Sequence, residues 1–178
     1  AGISATPETE LQMGMGFPVA HRAHAHGVRT GLGIDIVSNY SGDMFLPMRL
    51  ALQSTRALRN AEYEARKRAP SVIEPKAESV LRMATIGGAE AINMQKEIGT
   101  LEKGKSADIA IISTGAIHMT PSCDAVGALV MNARPGDIST VLVNGKIVKR
   151  DGKLVGVDWP SLRSRFAASA NRVMDGFR

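Results

Sequence analysis

The stretch that most constrains the fold is Gly31-Leu32-Gly33-Ile34-Asp35, a short apolar run that ends in one carboxylate. A polar loop, Ile36 to Gly42, and a long helical pattern follow it. Apolar residues at strand length, then turn residues, then apolar residues at helical spacing read as a strand–loop–helix unit. Asp35 then stands at the carboxyl end of a buried strand, which is where α/β barrels place their chemistry. With 178 residues, 44% of them hydrophobic, the chain can bury a core as one domain or one domain with an appendage. It is too short for a complete (β/α)₈ barrel, which takes about 250 residues.

Upstream of this unit, Gly2 to Thr6 is β-compatible and Pro7 stops it, and Glu8 to Phe17 reads as a Gly- and Met-containing loop. Pro18 to His26 reads as a helix ended by Gly27, and Val28 to Ile34 returns as the strand. Downstream, Met44, Met48, Ala51, Leu52, Thr55 and Leu58 recur at helical spacing to about Lys67, with Pro47 tolerable only in the first turn. A second helix is expected with Pro75 near its start and Ala77, Val80, Leu81 and Ala84 on one face. Gly87-Gly88 is expected to break it before a shorter helix through Ala89 to Met94.

The texture then changes. Ile109-Ala110-Ile111-Ile112 reads as a buried strand and Ala125 to Met131 as a short helix. Asn144-Gly145 between Thr140–Val143 and Lys146–Lys149 is a strong hairpin signal, because both residues accept the positive φ of a type I′ turn. Arg150 to Lys153 offers another turn. Pro160 to Met174 is a helix candidate with Leu162, Phe166, Ala170 and Val173 facing inward.

The net charge of +5 and pI near 9.7 raise the question of a nucleic-acid partner. Arg56, Arg59, Arg66, Lys67 and Arg68 cluster on or near one helix, but Glu62 and Glu64 interrupt them and no aromatic platform accompanies them. A solvated helix face is the first reading and phosphate binding the second; neither nucleic acid nor a membrane is an expected partner. No apolar run reaches the roughly 20 residues that span a bilayer. A lone Cys123 gives no intramolecular disulfide, and without a signal-peptide pattern the cytoplasm is the expected compartment. The start at Ala1, without methionine and in strand-like sequence, leads us to expect an upstream part.

Several separated motifs agree with one another. They are Gly33-Ile34-Asp35 at a strand end, Asp43-Met44-Phe45 leading a helix, Leu81 to Ala89, the block Ile98-Gly99-Thr100-Leu101-Glu102-Lys103-Gly104-Lys105-Ser106-Ala107-Asp108, and Val141 to Lys146. Together they resemble the C-terminal part of the amidohydrolase superfamily, in the branch of cytosine and guanine deaminases and triazine hydrolases. The resemblance covers about Ile3 to Phe166. It implies an α/β fold: the last βα units of a metal-dependent hydrolase TIM barrel (1–94), C-terminal strands of its small β-sandwich (95–157) and a C-terminal helix (158–178).

It also implies hydrolysis of a non-peptide carbon–nitrogen bond in a small heterocyclic substrate by a deaminase-like enzyme. The family's ion is divalent, with zinc favoured over iron or manganese, and its ligands are a His-x-His pair, two further histidines and an aspartate. Only the aspartate has a match here, Asp35, with the family role of touching the metal and accepting a proton from its bound water. On the residues alone, a cap at a helix or loop start is the first reading of Asp35.

Glu8 and Glu10, after one strand end, and Ser38 and Asn39, after the other, are candidate substrate contacts. Loop solvation or capping is the alternative for each. His24-Ala25-His26 imitates a His-x-His pair, but on a helix positions i and i+2 point about 200° apart and cannot share an ion. His21 and His24 can, so a metal role stays open beside the reading of exposed helix residues; His118 reads as structural or surface. Two functional readings follow. The parent is a hydrolase in which these residues are an incomplete, inactive-alone C-terminal portion, or the chain is a non-catalytic remnant that self-associates through open sheet edges. A homo-oligomer, or association with a missing N-terminal part, is the expected assembly.

Overall fold

In the computed structural model, which describes residues 1–37 and 41–177, the chain forms two sheets joined by helices. Strands β1 (Gly2–Ala5) and β2 (Arg29–Leu32) pair in parallel, Gly2 opposite Arg29 and Ala5 opposite Leu32. Parallel pairing requires a crossover. Here it holds two short helices, α1 (Pro7–Gln12) and α2 (Ala20–Ala25). The expected loop from Glu8 to Phe17 is therefore helical in its first half. Pro7 sits in the first turn, where its missing N–H costs nothing, and Glu8 and Glu10 complement the helix N-terminus.

Helix α3 (Phe45–Ala65) buries Phe45, Pro47, Met48, Ala51 and Leu52 and then runs out of the core, Leu58 being 39% exposed. Its start is capped by Asp43, whose Oδ1 accepts from the Phe45 and Leu46 amides at 2.7 and 3.1 Å. Helices α4 (Ala77–Ala84) and α6 (Ala125–Met131) close the core, so that Leu52, Val80, Met83, Val130 and Ala133 are all but inaccessible. Met83, one turn on from Val80, joins it on the buried face. Asp124 caps α6 through the Val126 and Gly127 amides.

The expected break at Gly87-Gly88 lies two residues earlier, at Thr85, and both glycines are inside α5 (Ile86–Ala91). Their reason is contact rather than chain reversal. A Cβ on Gly87 would lie 2.5 Å from the Thr30 carbonyl oxygen, and one on Gly31 would lie 2.8 Å from the Gly88 Cα. Helix α5 thus rests directly on the backbone of the β1–β2 pair.

Strands β3 (Ile109–Ile112), β4 (Ile138–Val143), β5 (Lys146–Arg150) and β6 (Lys153–Leu154) form an antiparallel sheet in that order. Asn144 and Gly145 take φ of 48° and 75°, and Asp151 and Gly152 take 49° and 76°, as the two tight turns demand. Strand β3 is not the buried strand its isoleucines suggest, since Ile111 is 49% exposed and Ala110 beside it is exposed too. Helix α7 (Trp159–Asp175) forms, but its apolar stripe is not inward: Phe166 and Val173 are 62% and 58% exposed and Leu162 is half-buried. Amphipathic spacing dictates a face, not what lies against it.

The Gly99–Asp108 block joins the two parts by hydrogen bonds. Gly99, at φ 97°, lets the chain pass the Ile86 Cα, where a Cβ would stand at 2.9 Å. Lys105 Nζ donates to the Gln95 carbonyl at 2.8 Å and to the Thr100 hydroxyl. Asp108 Oδ1 accepts from the Asn144 amide at 2.7 Å, and the Gly145 amide donates to the Ala107 carbonyl at 3.0 Å. The motif therefore pins the β4–β5 turn. Asp108→Ala is expected to cost about 1 kcal/mol, the usual net worth of such a bond, and Asp108→Asn less, measured as shifts in urea midpoint.

Candidate functional site at the strand ends

The carboxyl ends of β1 and β2 lie side by side, and the chain beyond each is tied to the other. The Gly33 amide donates to the Ala5 carbonyl at 2.8 Å, continuing the ladder one step past β2. Thr9 Oγ1 in α1 donates to the Ile34 carbonyl at 3.4 Å. Asp35 follows immediately, exposed, with φ at 59°. That left-handed conformation is uncommon outside glycine, and Asp and Asn tolerate it best.

Glu8 ties Ser41 to α1. The Glu8 carboxylate accepts from the Ser41 hydroxyl at 2.8 Å and from its amide at 3.2 and 3.3 Å. Glu10 turns back instead, its Oε1 accepting from the Thr6 amide at 2.6 Å and so satisfying a free donor at the start of α1. The structure thus gathers Glu8 and Asp35 at one rim and gives Glu10 a capping partner. Ser38 and Asn39 lie outside the described residues. Ser41 escaped the sequence reading because its partner is 33 residues away; a serine before Gly42 carries no signal of its own.

The histidines divide. His24 and His26 are exposed, as expected for a helix surface. His21 is not: it is half-buried, its Nε2 3.0 Å from Ser79 Oγ and its Nδ1 2.9 Å from Thr55 Oγ1. Both hydroxyls also reach a backbone carbonyl, Thr55 that of Ala51 at 2.8 Å and Ser79 that of Lys76 at 2.7 Å, so the two ring nitrogens meet hydroxyls that are themselves held in place. His21 thus bridges α2, α3 and α4. Burial first, then the charges of Arg59 and His24, lower its pKa from 6.5 to about 4.

The unfolded chain takes up this proton near pH 6.5 and the folded chain only near 4. The resulting stability is complete above pH 6.5 and lost as pH falls toward 4. Between pH 7 and 5 the wild type should lose about 1 kcal/mol more than His21→Gln, a value discounted for partial exposure, in urea midpoints. His118 also has a structural partner. Its Nε2 lies 2.8 Å from Asp137 Oδ2, which accepts from the Arg134 amide at 2.8 Å, and this contact with His118 is the chief cause holding Asp137 below the usual carboxylate range.

Among the described residues no three His, Cys, Asp or Glu side chains converge where an ion could sit. Zinc takes three or four converging donors. A single exposed carboxylate, such as Asp35 at the strand-end rim, does not fit such an ion by itself. No helix is long and apolar enough to cross a membrane among the described residues.

Comparison with known proteins agrees with this geometry. A 5-methylthioadenosine/S-adenosylhomocysteine deaminase of Moorella thermoacetica is 34% identical over 158 residues, 88% of this chain and 35% of its own. An S-triazine hydrolase of Gordonia rubripertincta is 36% identical over 151 residues, 84% of this chain and 29% of its own. The solved structure of an adenosine deaminase from Xanthomonas campestris, with bound zinc, superposes with a TM-score of 0.86 at 26% identity, over 98% of this chain and 38% of that one. The chain spans about a third of the length of the relatives it matches. It carries a partial TIM barrel with its accompanying sheet and corresponds to the C-terminal part of these enzymes. The model of the amidohydrolase family matches residues 1–148, and with these relatives it shows that the chain belongs to the amidohydrolase family.

Proposed function

We propose that these residues form the C-terminal portion of a deaminase-like hydrolase that cleaves a non-peptide carbon–nitrogen bond in a nitrogen heterocycle, with Asp35 as its proton acceptor. The observation that carries the reading is the placement of Asp35 just beyond β2, in a loop tied to the neighbouring strand end by Gly33, Thr9 and Glu8. A carboxylate that must take a proton from an attacking water and return it to a leaving group has to keep one position through both transfers. In this reading Asp35 would also serve as one ligand of a divalent ion, zinc by analogy with the relatives, which would lower the pKa of the attacking water. Glu8 holds Ser41, Glu10 caps the start of α1, and Ser38 and Asn39 are kept as proposed substrate contacts. The barrel units occupy 1–94, the sandwich strands 95–157 and the terminal helix 158–178.

The test is ammonia release by the complete protein from 5-methylthioadenosine and from adenosine. Release from at least one of them is expected, and release from none overturns the reading.

A second reading is favoured by the lack, among the described residues, of any three converging His, Cys, Asp or Glu side chains. By itself the 178-residue chain is non-catalytic and self-associates through the edges of the β1–β2 pair. Elemental mass spectrometry should then find no stoichiometric zinc, iron or manganese, and light scattering should find oligomers. A monodisperse monomer counts against the association.

A further inference from the structure

The charged half of α3 has no part in this chemistry. Past Arg56 the helix is exposed, and residues 66–74 return beside it. Arg56 Nε donates to the Pro75 carbonyl at 3.0 Å and so fixes the returning segment to the helix. Between them lies a cleft of about 700 Å³, within the range of small-molecule sites. Arg56, Arg59, Tyr63 and Arg66 stand at i, i+3, i+7 and i+10 and share one face of the helix. Val72 and Ile73, 59% and 64% exposed, form the other wall.

This placement reorders the two readings of the basic cluster, because a merely solvated face would not line a concavity. The ion pairs of Arg82 with Glu90, Lys105 with Glu102 and His118 with Asp137 do not involve this cluster, and among the described residues Arg56, Arg59 and Arg66 have no carboxylate within 4.0 Å. Their field is felt nearby, since Arg59 contributes to the lowered pKa of His21. Glu62 and Glu74 also line the cleft, leaving one net positive charge against three guanidinium groups. That balance suits a ligand with one anionic group rather than a nucleic-acid backbone, which calls for many cations. Arginine forks match carboxylate and phosphate alike, and Tyr63, Val72 and Ile73 suit a flat apolar body.

We propose that the cleft between α3 and residues 70–74 binds a small aromatic anion, its carboxylate or phosphate on Arg59 and Arg66 and its ring against Tyr63, Val72 and Ile73.

Isothermal titration of the protein with phenyl phosphate and with benzoate tests this, with inorganic phosphate as the ring-free comparison. Saturable binding of one molecule per chain is expected for at least one aromatic anion, and the stronger of the two tells phosphate from carboxylate recognition. The Arg59→Ala/Arg66→Ala variant should weaken it by about tenfold or more, while Arg163→Ala/Arg165→Ala on α7 leaves it unchanged. Both pairs are exposed, and circular dichroism checks that each variant keeps its helices. Absence of saturation by about 10 mM, equal affinity in the Arg59/Arg66 variant, or equal binding of inorganic phosphate overturns the proposal.

Discussion

Asp35→Asn in the complete enzyme is expected to lower kcat by about 10²- to 10⁴-fold, the usual contribution of a positioned acid–base group. The substitution isolates the carboxylate's charge. Asparagine is nearly isosteric with aspartate and tolerates the left-handed φ of 59° that residue 35 adopts, so the loop keeps its path. Alanine does not share that tolerance, and Asp35→Ala mixes backbone strain of about 1 kcal/mol with loss of charge. The unfolding midpoint of Asp35→Asn should stay within about 0.5 kcal/mol of wild type, as befits an exposed position. Steady-state kinetics with any substrate that the complete enzyme turns over decide the matter. A loss of less than tenfold would remove Asp35 from the proposed role.

Glu8 offers a contrast that separates positioning from proton transfer. Glu8→Gln keeps one acceptor oxygen for Ser41 but removes the charge. If Glu8 acts only by tying Ser41 to α1, its variant should lower kcat far less than Asp35→Asn and leave the pH profile where it was.

What could be read from the residues follows how local each signal is. The Asn144-Gly145 turn and the Asp151-Gly152 turn need positive φ at defined positions, a requirement written in two adjacent residues. Helix α6 has the expected bounds, and strands β4 and β5 contain the expected Thr140–Val143 and Lys146–Lys149, extended by two residues and one residue. Asp35 at the end of an apolar run was legible as a position, whereas its tie to Thr9 joins residues 25 apart and had no local trace. His21 was read as an exposed helix residue or an ion ligand. Its partners Thr55 and Ser79 come from two other helices, and only the tertiary fold turns a surface imidazole into a bridge between them. Helix α7 shows the converse, a correct period with no neighbouring element to bury it. The basic cluster of α3 was correctly placed on a helix, but the return of residues 66–74 beside it could not be foreseen from charge spacing.

Gly87 carries the largest expected effect on stability, and its reason was the least visible in the sequence, where a Gly-Gly pair reads as a helix break. Conformational freedom predicts that Gly87→Ala inside α5 gains up to about 1 kcal/mol from better helix propensity. Contact predicts the opposite. The new methyl would meet the Thr30 carbonyl oxygen at 2.5 Å and the Arg82 carbonyl oxygen at 3.0 Å, both backbone atoms that no side-chain rotation can move aside. Helix α5 would have to lift from β2, and the facing contact of Gly31 with Gly88 would open with it. Overpacking of this kind costs about 1–3 kcal/mol, which exceeds the propensity gain. Gly87→Ala should therefore lower stability by about 2 kcal/mol, and Gly87→Val should lower it further, against a whole-domain stability of about 5–15 kcal/mol. Gly88→Ala is the internal control, because its Cβ would meet only the Met83 carbonyl oxygen at 3.8 Å, an ordinary contact. Its helix propensity gain should then emerge as a neutral or slightly raised urea midpoint. Equal midpoints for the two alanine variants would mean that α5 does not seat on β2 through Gly87.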